Sequence, residues 1–319
     1  MSIAVQRWLR VAGIIAILAL LLVFSRGVEW AVVVAVVRGA DSEFLVLALV
    51  CNLISLTMKG VRWWVLLRPL GVRSLSLVLR ATFAGASLNN LLVAQGGEGA
   101  RALLVSRASG VSSARVFAAL ALERTLDVVS YLVLLGGGAW LFPLPERIAR
   151  WQAAASVLLG AALTALIALG LVGRRVRLLS LGSAGERAPS YLRRFAGSFR
   201  EVGSLPRVAV ALALSLGAWA LQVVTYHLTA RAAHLPLPFA GSVAAMLSVG
   251  ISFLVRATPG NVGVFQAVYA LTVRSFGIAE DAAIAAALLI QAVQVLPILV
   301  IGTLVTPRLA RRATTEPRA

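Results

Sequence analysis

Six charged side chains stand in stretches of this sequence that are otherwise apolar: Glu98, Arg101, Glu123, Arg124, Asp127 and Arg256. Glu98 and Arg101 are one helical turn apart, as are Arg124 and Asp127, and such spacing puts side chains on one face of a helix. A charge at the bilayer centre costs at least ~2.5 to 3.5 kcal/mol on insertion scales, so buried charges need partners or a wet cavity. Internal ion pairs that lock a helix bundle are one explanation. A buried pair is often no more stabilising than apolar packing, which favours the cavity. There, guanidinium forks match phosphate oxygens, while the carboxylates balance them, bind a cationic headgroup or carry a proton. Gln291 and Gln294 fall at comparable depth in the last apolar segment.

The polar residues flank two breaks. "LLVAQGGEGAR" interrupts an apolar run with Gly96 and Gly97, and "RATPGNVG" brings together Pro259, Gly260, Asn261 and Gly263. A continuous helix tolerates neither well, and non-helical backbone at membrane depth survives only where protein or water satisfies it. A helix that starts after such a break presents free N–H groups, which attract phosphate. Thr258 before Pro259 suits an N-cap and first-turn pair. The candidate substrate-binding set is therefore Gly96, Gly97, Glu98, Arg101, Glu123, Arg124, Asp127, Arg256, Pro259, Gly260, Asn261, Gly263, Gln291 and Gln294. No catalytic set, metal site or cofactor is expected.

The elements that must position these residues follow from composition. Of 319 residues 60% are hydrophobic and 13% charged, against roughly a quarter charged in soluble domains. Several apolar runs approach the ~20 residues needed to cross ~30 Å of hydrocarbon, and they lack the alternation of barrel strands. The reading is a single membrane domain, 1–319, all-α and polytopic, with about six transmembrane helices and two re-entrant helical hairpins at 81–107 and 240–276. Full spans are expected near 8–24, 43–66, 114–141, 152–172, 208–232 and 282–305, with a short interfacial helix at 28–38. The half-helices 240–255 and 263–276 measure ~24 and ~21 Å at ~1.5 Å per residue, short of a crossing.

The net charge of +18 does not signal nucleic acid, because the arginines sit between hydrophobic spans, as positive-inside loops require. With both termini inside, the N-terminal arginines, the border from Lys59 to Arg73, the basic loop 174–207 and the basic tail all fall on the cytoplasmic side. Only Lys59 is a lysine, and the arginine excess reads as composition rather than chemistry. Most tryptophans, Trp63 and Trp64 among them, flank spans and read as interface anchors, whereas Trp219 is interior and reads as packing. Cys51 is the single cysteine, so no intramolecular disulfide forms. His227 and His234 lack metal-site spacing, and "GEGARA" lacks the strand that a dinucleotide fingerprint needs.

The two broken segments resemble each other: apolar approach, glycine break, helix with an arginine near its end, then Gly110 or Gly277. A first repeat at about 43–141 and a second at about 208–305 would enter the membrane from opposite sides. That is the inverted-repeat architecture of many secondary transporters.

"NNLLVAQGGEGARALLVSRASGV", "ALERTLDVV" and "RATPGNVGVFQAVYALTVRSFGI" together resemble the transmembrane region of lysylphosphatidylglycerol synthase/flippase proteins and their stand-alone flippase-like relatives. The resemblance covers nearly the whole chain. It departs where that family often has a proline ahead of the first glycine pair and this chain has Val93, Ala94 and Gln95. The resemblance implies movement of a lipid headgroup between leaflets. Lysyl-lipid synthesis is not expected, since no aminoacyl-transfer domain accompanies these residues. The resulting expectation is a flippase or scramblase for a phosphate-bearing lipid, phospholipid or polyprenyl-phosphate-linked, in the cytoplasmic (inner) membrane of a prokaryote. Its expected partners are membrane lipids with an anionic headgroup and a glycosyltransferase or lipid-modifying enzyme. Two alternatives stay open: an intramembrane transferase acting on a lipid-linked substrate, and a non-catalytic partner of a membrane glycosyltransferase.

Overall fold

A computed structural model describes residues 30–91, 96–141, 145–146, 148–154, 156–158, 160–161, 164, 204–253 and 258–315. Three sequence expectations lie outside these residues: the first span at 8–24, most of the basic loop 174–207, and Arg256. The described residues are helical and contain no strand.

The described residues begin with a short apolar helix, α1 (Trp30–Gly39), which is followed by α2 (Ser42–Leu67). Asp41 starts α2 by accepting the Glu43 N–H at 2.9 Å, and Glu43 adds negative charge to the first turn, where the helix dipole favours it. At ~1.5 Å per residue α2 is ~39 Å long. It ends in a 3-10 turn, Arg68–Leu70, and stops at Gly71, whose φ of 106° belongs to the left-handed region. Next come α3 (Leu75–Leu91), α4 (Gly96–Ser109) and α5 (Ser113–Leu141), and beyond the partly described helical stretch 146–164 lies α6 (Leu205–Ala232). The last part comprises α7 (Phe239–Ser252), a 3-10 turn (Pro259–Asn261), α8 (Val264–Val273), a 3-10 turn (Arg274–Phe276) and α9 (Glu280–Thr315).

Among the described residues, three helical stretches are long and apolar enough to cross a bilayer: Ser42–Leu70, Leu205–Ala232 and Glu280–Val305. They carry exposed aliphatic side chains such as Val46, Leu47, Val210, Leu296 and Val300. The 29 residues of α5 are also long enough, but Glu123, Arg124 and Asp127 stand midway along it.

Both segments expected to break do so. One is split into α3 and α4, which pack against each other, and the other into α7 and α8, which also pack together. The first pair starts six residues earlier than the sequence reading placed it, because Ser74 caps α3 by accepting the Leu77 N–H at 3.2 Å. Contact between α3 and α4 is close at two glycines. A Cβ at Gly97 would overlap the Gly85 carbonyl oxygen, and one at Gly85 would come within 2.8 Å of the Gly97 carbonyl.

Small residues also allow α2 and α6 to lie against each other. Ser55 donates to the Ala218 carbonyl at 2.8 Å, and Ala48, Ala211, Ser215 and Ala218 are fully buried. Close backbones joined by hydroxyl groups are the usual glue between helices in lipid. Two apolar cores result. One joins the C-terminal half of α2 to α3, α4 and α5 through Trp63, Leu66, Val78 and Val105. The other joins α7, α8 and the first half of α9 through Leu247, Phe265, Tyr269 and Ile290.

Candidate functional site

Between α2, α4 and α5 lies a closed ring of six ions with alternating sign. Arg62 pairs with Glu123 at 2.7 Å, Glu123 with Arg101 at 2.8 Å and Arg101 with Glu98 at 2.8 Å. Glu98 pairs with Arg124 at 3.1 Å, Arg124 with Asp127 at 3.4 Å, and Asp127 returns to Arg62 at 2.5 Å. Three cations and three anions leave the ring formally neutral. Arg62 also donates to the Ser215 hydroxyl of α6, and the Arg101 guanidinium lies 4.4 Å from the centroid of the Trp63 ring. The ring is mostly buried: Arg62 is 0% and Glu123 1% exposed, whereas the Arg124 side chain is 48% exposed.

The ring forms one wall of a cavity of about 430 Å³. A second wall is made of carboxamides. Gln294 Nε2 donates to Gln222 Oε1 at 2.9 Å, Gln222 Nε2 to Asn52 Oδ1 at 3.2 Å, and Asn52 Nδ2 to the Val293 carbonyl at 3.3 Å. This chain of amides ties α2, α6 and α9 together. The third wall is aromatic, with Tyr131, Trp219, Tyr226, Phe253 and Phe265. Lys59 reaches the same cavity, its ammonium 5.0 Å from the Trp219 ring centroid.

The glycine breaks are held by side chains. At the first, Gly97 N–H donates to Asn89 Oδ1 at 2.9 Å, and Asn89 Nδ2 reaches Glu98 Oε1 at 3.4 Å. At the second, Gly260 and Asn261 both have a φ of 60°, and Gly263 has 87°. The Gly260 carbonyl accepts from Gln291 Nε2 at 2.7 Å, and Gln266 Nε2 donates to Gln291 Oε1 at 2.5 Å. Gly263 N–H donates to Gln266 Oε1 at 2.7 Å.

Residues 9–302 match the family model described as the lysylphosphatidylglycerol synthase TM region. The chain belongs to this family. It is similar to a UPF0104 membrane protein of Pyrococcus horikoshii, 31% identical over 122 residues, which are 37% of this chain and 36% of that protein. It is also similar to the glycosyltransferase AglD of Haloferax volcanii, 28% identical over 127 residues, 40% of this chain and 20% of that protein. The matched segments thus span well under half of either relative.

In this member of the lysylphosphatidylglycerol synthase TM-region family, Glu98, Arg101, Glu123, Arg124 and Asp127 converge in the ring, and Gly260, Gln291 and Gln294 line the same cavity. Gly96 and Gly97 begin α4, and Pro259 opens the second break. Asn261 belongs to the Pro259–Asn261 turn and Gly263 directly precedes α8, and neither lines the cavity. Asn261 is buried and donates to the Ser252 hydroxyl at 3.1 Å.

Four sequence expectations need correction. Thr258 does not cap a helix, since its hydroxyl donates to the Val262 carbonyl at 2.6 Å and α8 starts only at Val264. The three left-handed residues before α8 delay its start. Trp63 is no interface anchor but fully buried under Arg101. Trp219 is more than packing, because it faces an ammonium. Finally, Lys59 and Arg62, which read as part of a basic border, point inward. They precede the end of α2 by eight and five residues, so both lie well inside the helix. Their three-residue spacing, with Arg68 and Arg73 already supplying the border charge, was the available signal.

Proposed function

We propose that this chain is a lipid translocator, a flippase or scramblase that moves a phosphate-bearing lipid between leaflets of a prokaryotic cytoplasmic membrane. The observation that carries this reading is a polar cavity flanked by two interrupted helical pairs and walled by a charge-neutral ring. Such a cavity can take a headgroup out of water while the charges of the ring stay paired. In this reading α3/α4 and α7/α8 are re-entrant hairpins from opposite faces, with 43–141 and 208–305 as inverted repeats and both termini cytoplasmic. Alternating access then comes from one pair moving against the other.

The test is leaflet exchange of labelled phospholipid and polyprenyl-phosphate lipids in vesicles holding the purified protein. Replacing Glu123→Gln together with Arg124→Ala opens the ring on two sides. Exchange is expected to fall about tenfold or more, the effect of a barrier raised by ~1.4 kcal/mol. Exchange at the unmodified rate refutes the role given to the ring.

Similarity to a protein named a glycosyltransferase supports a second reading, in which the chain serves a lipid-linked transferase as partner or as part of its chemistry. Product formation from a lipid-linked donor, dependent on this chain and insensitive to the ring variants, would favour it.

A further inference from the structure

We infer that Lys59 holds the anionic group of the headgroup, and that the arginines of the ring frame the site rather than bind the anion. This rests on the reading that the cavity receives a phosphate-bearing headgroup, and it names the residue that phosphate meets.

Each carboxylate of the ring lies between two arginines, and each arginine between two carboxylates. A phosphate that took Arg62 or Arg101 would have to displace a carboxylate into an apolar interior, where an unpaired charge is strongly unfavourable. The Nε donors of Arg62 and Arg101 lack protein partners, but both atoms are buried out of a ligand's reach. The amide wall is equally committed. The side-chain NH₂ groups of Asn52, Gln222, Gln291 and Gln294 all donate to acceptors of the protein.

Lys59 is the exception. Its ammonium lies over Trp219 at 5.0 Å and lines the cavity. Among the described residues no carboxylate stands within ion-pair distance of it and no hydrogen bond engages it. The cavity walls named here therefore carry one positive charge in excess, on a group with three rotatable donors. Trp219 compensates only in part, through the attraction between a cation and the face of a ring. A phosphate ester supplies what is missing: a negative charge and oxygens that accept from an ammonium. Composition points the same way. In a chain whose thirty Lys and Arg residues are otherwise all arginine, the one lysine stands at this cavity. An ammonium is a compact point charge, whereas a planar guanidinium would compete for the ring's carboxylates.

The single lysine also makes the test specific. Protein labelled with ¹⁵N at lysine Nζ gives one side-chain ammonium signal. Titration with dihexanoyl phosphatidic acid is expected to move that signal to saturation, while dihexanoylglycerol, which lacks the phosphate, leaves it in place. Direct binding of the same phosphatidic acid should be roughly tenfold to a hundredfold weaker to Lys59→Met, the loss expected for a charge-assisted hydrogen bond. Lys59→Arg should recover part of it. An equal response to inorganic phosphate keeps Lys59 as the anion's partner and makes the source a free ion rather than a lipid. Unchanged binding by a folded Lys59→Met protein overturns the inference, as does a Lys59 signal that ignores phosphatidic acid. A wild-type protein that binds through Lys59 yet exchanges no lipid would refute transport alone, so the two claims fail separately.

Discussion

Arg62 joins three helices, and its removal is the most direct measure of how much the ring contributes. Its guanidinium reaches Glu123 at 2.7 Å, Asp127 at 2.5 Å and, on α6, the Ser215 hydroxyl. In Arg62→Met the ring keeps three carboxylates but only two arginines. Glu123 retains Arg101 at 2.8 Å, whereas Asp127 is left with Arg124 at 3.4 Å, a partner that is 48% exposed. Breaking a buried pair by removing one partner costs about 3–5 kcal/mol, because an uncompensated charge stays behind. At about 2 °C per kcal/mol for a chain of this size, the midpoint of thermal unfolding should fall by about 6–10 °C. Removing the stranded charge as well, in Arg62→Met with Asp127→Asn, restores neutrality and should recover part of that loss. The double-mutant cycle should show a coupling of roughly 1–3 kcal/mol. Unfolding of purified protein in one detergent, followed by intrinsic tryptophan fluorescence, measures all four proteins. A midpoint for Arg62→Met within about 1 °C of wild type, or additive single losses, would refute the ring as a coupled unit.

Gly97→Ala should destabilise by about 1–3 kcal/mol, since its methyl group has no room against Gly85. Gly99→Ala, with nothing near its Cβ, should be neutral or stabilise by up to about 1 kcal/mol; the same unfolding assay separates the two. For topology, Cys51→Ser removes the chain's single cysteine, and cysteines then placed at Ser76 and Ser109 should both react from the cytoplasmic side with an impermeant maleimide. Cysteines at Pro238 and Ser275 should both react from the opposite side, and labelling of either pair from two different sides would rule out that hairpin.

Much of this molecule could be read directly from residue types. The breaks at Gly96–Gly97 and Pro259–Gly263 were legible because glycine and proline act on the backbone locally. The boundaries of α2, α5 and α6 were legible because apolar runs end where charges, prolines or turns begin. The convergence of Glu98, Arg101, Glu123, Arg124 and Asp127 was foreseeable, since isolated charges in apolar helices must find one another. What stayed hidden depends on how whole helices rotate. Lys59 and Arg62 lie beside a real basic border at Arg68 and Arg73, and charge alone cannot distinguish a cation at the interface from one inside. The rotation of α2 is set by the small residues Ala48 and Ser55 packing against α6, a feature of two helices together. Trp63 was misread for the same reason. The start of α8 was legible within a residue, at 263 against Val264, whereas the Gln266 side chain that holds the Gly263 N–H there was not.

The two interrupted pairs are tied to the cavity by different chemistry. Glu98 and Arg101 bind α4 to α5 through charge-assisted contacts near 3 Å or shorter. On the other side, Gln291 and Gln266 bind the Pro259–Asn261 turn to α9 through neutral amides alone. Charged hydrogen bonds are roughly twice as strong as neutral ones, and those of the ring are closed on themselves, so no single contact can be released without exposing a charge. The amide link has no such penalty, because water or a ligand hydroxyl can replace an amide partner with little change in free energy. An arriving headgroup can therefore loosen the α7/α8 side while the α3/α4 side stays fixed. That difference gives the cavity one rigid wall and one exchangeable wall, as the proposed translocation, which must both hold a headgroup and let it go, requires.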